Sequence, residues 1–180
     1  HNLATSLAQG EIKGWGSNAV CEYRVKKRMN PLSRLFKRWY AHPKRIKNLL
    51  DKEHDYSLLH VTDQEQAHLI PEHCSLPVVV TVHDLFHFFP QRIKIGEDSV
   101  EVGEQNPRWY RRRDLVKLRA GLARADLLVC DSQATLSACQ KHFPKVNSVC
   151  VPLGLEVKSF APMSQEHTDV MAPASLFTKK

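Results

Sequence analysis

The chain has 180 residues, with 26 lysines and arginines against 19 aspartates and glutamates, for a net charge of +7. Apolar residues make up 42% and charged residues 25%, which excludes disorder and collagen-like repeats. The longest strongly apolar stretch, Leu76 to Val82, is far short of the roughly 20 residues that cross a bilayer. The length predicts one domain with its own core.

Residues 1–9 place Leu3, Ala4, Leu7 and Ala8 at helical spacing, and Gly10 is a stop signal. Residues 17–26 alternate through Val20, Tyr23 and Val25 and predict a strand. After Asn30-Pro31, the apolar residues Leu32, Leu35, Phe36, Trp39, Ile46, Leu49 and Leu50 predict two helical pieces interrupted by Pro43, with a basic outer face. Residues 56–61 (YSLLHV) read as a short buried strand, and 64–70 as a short helix or turn. Residues 77–82 (PVVVTV) are β-branched almost throughout, which suits a strand buried on both faces. Leu115, Leu118, Leu122 and Ala123 predict a helix over 109–124. Residues 126–130 (DLLVC) give another strand, Ser132 caps a helix over 134–142, and 146–152 give the last strand. Buried strands alternating with helices imply a doubly wound, mostly parallel, Rossmann-like α/β sheet.

The five cysteines, Cys21, Cys74, Cys130, Cys139 and Cys150, are odd in number and contain no C-x-x-C pair. This pattern predicts reduced, buried thiols in a cytoplasmic protein and no structural zinc. The basic residues cluster. Residues 24–47 hold ten lysines and arginines and no acid, and 108–124 hold seven against one, Asp114. Such clusters suit an anionic partner: phosphate, nucleic acid or an anionic membrane surface. Residues 24–47 also interleave Leu35, Phe36, Trp39 and Tyr40 with the charges, as interfacial helices do. The plainer reading is a surface helix packing its aromatics on the sheet. No RNA-binding or helix-turn-helix signature supports nucleic acid.

Parallel sheets bind ligands beyond the carboxyl ends of their strands. The residues there are Thr62, Asp63 and His68; then His83, Asp84 and His87; then Asp131 and Ser132; then Leu153, Gly154 and Glu156. His83 can donate a hydrogen bond to a hydroxyl or phosphate, or act as a base near neutrality. Asp84 can orient an imidazole or a loop amide, or simply cap a turn. His60, Asp63, His68, His83 and His87 together have the donor types of a zinc or iron site, but their spacing matches no tight ligand motif. No G-x-G-x-x-G, P-loop or G-x-S-x-G element is present.

Four segments in order carry a resemblance: DYSLLHVTDQEQAHLI, LPVVVTVHDLFHF, GLARADLLVCDSQATLSAC and KVNSVCVPLGLEVKSFAP. Together they resemble the N-terminal half of family-4 glycosyltransferases of the GT-B fold. The family's "TxHD" strand falls on Thr81 to Asp84, its "ADxxxxxS" strand on Ala125-Asp126 to Ser132, and its "vP.G.....F.P" connection on Val151 to Pro162. The resemblance implies retaining, nucleotide-sugar-dependent glycosyl transfer without a metal or other cofactor. His83 would contact the transferred sugar or its leaving-group region, with Asp84 beside it as the second catalytic candidate. Asp63 and His68 would line the acceptor cleft, and Ser132 and Gly154 the interdomain crevice. The partners implied are a nucleotide-sugar donor and a sugar, glycan or lipid-linked acceptor. Relatives with lipid acceptors also attach to membranes through a basic N-terminal domain, which favours an anionic membrane at the inner face for 24–47 over nucleic acid.

The family's first apolar strand and glycine-rich loop do not precede His1, and its second, nucleotide-binding domain does not follow within the chain. Residues 1–162 therefore read as an acceptor-side domain lacking its first strand, and 163–180 as the start of a connection to a donor-binding domain. On this expectation the chain is a piece of a longer enzyme and is inactive alone. The other function class open to it is a non-catalytic α/β binding module that holds an anionic partner on its basic surface.

Overall fold

A computed structural model describes residues 5–7, 9–16, 21, 29–52 and 55–154. The strand expected over 17–26, most of the helix expected over 1–9 and the connection over 163–180 lie outside the described residues, although 5–7 are helical.

Asn30 starts the first long helical segment, its Oδ1 accepting the Ser33 N–H at 2.7 Å. Pro31 takes the first position, where no N–H is needed. Helix α1 (Pro31–Phe36) continues through a π-helical stretch, Lys37–Ala41, into α2 (His42–Lys52). The break expected at Pro43 is thus a widened turn rather than an interruption. The His42 N–H donates to the Lys37 carbonyl, and the wide turn accommodates the helical bond that Pro43 cannot make.

There follow β1 (Leu59–Val61), a 3₁₀ helix (Gln64–Leu69), β2 (Val78–Val82), β3 (Gln91–Ile95), β4 (Asp98–Val102), α3 (Trp109–Leu122), β5 (Leu127–Cys130), α4 (Gln133–His142) and β6 (Asn147–Cys150). Strands β1, β2, β5 and β6 form a four-stranded sheet in that order, every pair parallel. This is the mostly parallel, Rossmann-like α/β architecture expected from the sequence. Val78, Val80 and Val82 of β2 are buried, and Val79 and Thr81 half-buried, as suits an interior strand of a parallel sheet. Leu115, Leu118 and Leu122 of α3 join the same core as Leu128 and Cys130 of β5.

Two local devices set the geometry of the sheet and its cover. Asp126 fixes where β5 meets β2: its N–H donates to the Val78 carbonyl at 2.9 Å and its Oδ2 accepts the Val78 N–H at 2.7 Å. Gly121 lets α3 approach the 3₁₀ helix, because a Cβ there would collide with the Ala67 carbonyl.

The antiparallel hairpin β3–β4 was not anticipated. Its register closes a two-residue turn, Gly96-Glu97, between Ile95 and Asp98. Gly96 has φ 64°, which suits the first central position of a type II′ turn. Cys130 and Cys139 are buried, Cys21, Cys74 and Cys150 are half-buried, and all five are free thiols. No helix among the described residues is long and apolar enough to cross a membrane.

Candidate functional site

The carboxyl ends of the parallel strands bring His83, Asp131 and Ser132 together. His83 follows β2 directly, and its Nδ1 lies 3.1 Å from Asp131 Oδ2, just past β5. Its main chain is held at both ends. The His83 N–H donates to Gln64 Oε1 at 3.0 Å, and its carbonyl accepts from Thr135 Oγ1 at 2.9 Å. Ser132 caps α4, accepting the Thr135 N–H at 3.2 Å, and its hydroxyl lies 2.9 Å from Thr135 Oγ1. A residue with two backbone anchors and an oriented ring is preorganised for contact with a ligand.

The other residues singled out in the sequence take different places. Asp84 accepts the Phe86 N–H at 3.1 Å, so it shapes the loop after His83, while Asp131 holds the imidazole. Asp63 caps the 3₁₀ helix, accepting the Glu65 N–H at 2.7 Å. Gly154 is exposed, and a Cβ there would meet nothing within 4 Å. His87 is exposed. His60 reaches across to Thr81 Oγ1 at 2.9 Å, a sheet-packing role, and burial lowers its pKa.

His68, which the resemblance assigns to the acceptor cleft, is 8% exposed and lies near Arg38, His42 and Asp114. Burial first, and then the positive charge of Arg38, lower its pKa to about 4, despite the opposing pull of Asp114. It therefore stands neutral near neutral pH. Among the described residues no group of three His, Cys, Asp or Glu side chains is arranged to hold a metal ion.

The basic segment also divides. Arg38 and Trp39 turn inward from the π-helical stretch onto Asp114 of α3. Arg38 donates through Nε and Nη2 at 2.7 and 2.9 Å, and Trp39 through Nε1 at 3.2 Å. Arg111 bridges the same carboxylate at 2.9 Å to Glu65, which it grips at 2.8 and 2.9 Å. Burial works to raise the Asp114 carboxyl, but the hydrogen bonds and charge of Arg38, with Trp39, hold it below its ordinary value. Trp39 packs under Lys117 and Arg113 of α3, at 5.4 and 5.5 Å, rather than on the sheet. Leu32, Phe36 and Tyr40 point outward, at 78%, 63% and 56% exposure. Phe36 stacks on Tyr40 beside an open groove that Lys44, Arg45 and Lys52 border.

Gln64, Thr135 and the pairing of Asp131 were missed as site residues. Asp131 stood among the strand-end polar groups; Gln64 and Thr135 gave no signal beyond following Asp63 and Ser132.

Comparison with known proteins adds the family. No curated protein matches the chain, and no solved structure matches it. The Glycosyltransferase Family 4 profile matches residues 6–158, which include every strand of the parallel sheet and the whole His83 cluster. The chain belongs to glycosyltransferase family 4, whose function is the transfer of a sugar from a donor to an acceptor.

Proposed function

We propose that the chain forms the acceptor-binding side of a retaining, nucleotide-sugar-dependent glycosyltransferase. In this reading residues 1–162 are the acceptor-side domain and 163–180 lead toward a donor-binding domain. His83 stands where the transferred sugar meets the acceptor. Asp84 shapes the loop that carries it, Asp63 borders the acceptor cleft, and Ser132 and Gly154 face the donor side. The nucleotide sugar is a substrate, and no metal or other cofactor takes part. The observation that carries the reading is His83 itself: an exposed imidazole at the carboxyl end of a central parallel strand, anchored through N–H, carbonyl and ring.

The test is transfer from a panel of uridine, guanosine and adenosine diphosphate sugars, followed by nucleotide release and by the anomeric configuration of the product. The complete enzyme is expected to release nucleotide only with an acceptor and to keep the donor's configuration, and the 180-residue chain alone to be inactive. An inverted product, or turnover by the chain alone, contradicts the proposal.

A second element concerns location. The outward side chains Leu32, Phe36 and Tyr40, bordered by Lys44, Arg45 and Lys52, favour contact of residues 24–47 with an anionic membrane at its cytoplasmic face. Apolar groups enter the headgroup boundary while lysine and arginine meet lipid charge.

A further inference from the structure

His83 is more firmly held than its exposure suggests. Its side chain is 45% exposed, yet side chains from three other places fix it. Gln64 and Thr135, which clamp its main chain, are 4% and 7% exposed. Because the Thr135 hydroxyl spends its proton on the His83 carbonyl, the Ser132 hydroxyl donates to Thr135 Oγ1 across 2.9 Å. The cap of α4 and the main chain of His83 are therefore one hydrogen-bonded line.

The ring contact has a direction. A carboxylate only accepts hydrogen bonds, so Nδ1 carries the proton in its contact with Asp131 at 3.1 Å. In the neutral ring Nε2 then keeps a lone pair, and no described residue bonds to it. A lone pair there attracts a hydroxyl hydrogen and repels a phosphate oxygen. That separates two contacts open to His83: a sugar hydroxyl, and the anionic leaving group of the donor.

We propose that Asp131 is a positioning residue that fixes His83 as the Nδ1–H tautomer, so that Nε2 accepts a hydrogen bond from a hydroxyl of the transferred sugar. The proposal rests on the reading of His83 as a group at the transfer site. Asp131 acts only through the imidazole, as carboxylates behind catalytic or metal-bound histidines do.

The test has two arms. In the first, the two-bond ¹H–¹⁵N spectrum of the labelled chain is recorded above neutral pH, with the His83 signals assigned from His83→Gln. The expected spectrum shows a protonated Nδ1 and a bare Nε2 at His83, and Asp131→Ala loses that fixed pattern. A wild-type ring that is Nε2–H, or averaged between tautomers, overturns the proposal even if the variant fails to fold. In the second arm, Asp131→Ala in the complete enzyme is expected to raise the donor KM or lower kcat at least tenfold. The acceptor KM stays unchanged, and Asp131→Glu restores part of the loss. Wild-type kinetics in Asp131→Ala overturn the positioning role. If the tautomer is as expected but His83→Ala leaves transfer intact, the reading of His83 as a transfer-site group fails instead.

Discussion

The Arg38 guanidinium grips the Asp114 carboxylate with two hydrogen bonds, of 2.7 and 2.9 Å, across 76 residues of chain. This contact ties the basic helical segment to α3, and Arg111 extends it to Glu65 on the 3₁₀ helix. The charges most visible in the sequence are thus partly internal.

Removing the shared anion should be costly. Arg38 and Arg111 are each 17% exposed and meet at Asp114, whose side chain is 7% exposed. Asp114→Ala leaves both cations without it. The expected loss is about 3–5 kcal/mol, measured by urea unfolding. A loss below about 1 kcal/mol, the range of an exposed pair, would show that the network contributes little.

Acid should weaken the same region. His68 has its pKa lowered from 6.5 to about 4. As pH falls through that window the unfolded chain takes up a proton that the folded chain refuses, so stability present above the unfolded pKa is lost toward the folded one. The shift corresponds to about 3 kcal/mol at most. His42 is lowered as well, by burial first and then by Arg45, Lys37 and Arg38, and adds in the same direction. His68→Gln should flatten the fall in melting temperature between pH 6.5 and 4; an unchanged slope would assign it to other groups.

Gly121 sets two effects against each other. Glycine to alanine within a helix ordinarily stabilises by about 1 kcal/mol. Here the added Cβ meets the Ala67 carbonyl, and backbone cannot rotate aside as a side chain can. Overpacking of this kind costs about 1–3 kcal/mol, so Gly121→Ala is expected to be net destabilising in thermal unfolding. A rise in melting temperature would mean that α3 and the 3₁₀ helix separate easily.

The outward aromatics can be tested with vesicles. The chain should sediment with vesicles rich in phosphatidylglycerol and not with pure phosphatidylcholine. Phe36→Glu with Tyr40→Glu should reduce that binding at least tenfold and leave the fold intact, since both side chains are mostly exposed. Equal binding by wild type and variant would remove this face from membrane contact.

The parallel sheet was legible because β-branched runs such as VVVTV carry their burial in their composition. The hairpin was not. Its strands are largely exposed, so their weak alternation around Gly96-Glu97 gave little hydrophobic signal. Pro43 was read as a break because local rules do not foresee that a π turn can accommodate a missing N–H. The burial of His68 was hidden for a different reason: its surroundings, Arg38 and Asp114, come from distant segments. The strand-end rule located His83 and Asp131 as polar groups at the site. Their pairing spans 48 residues and depends on β2 and β5 lying side by side, which periodicity alone does not fix. Asp84, nearer in sequence, was open to an imidazole, a loop amide or a turn cap, and it bonds the loop amide of Phe86.

The most direct test of the account is the rate of glycosyl transfer by the complete enzyme carrying His83→Ala, with folding checked by thermal unfolding. The expected result is a fall in kcat/KM of about 10²-fold or more, the size of effect seen when one oriented transition-state contact is removed, with the melting temperature unchanged. A well-folded His83→Ala enzyme that transfers sugar at the wild-type rate would contradict the central claim.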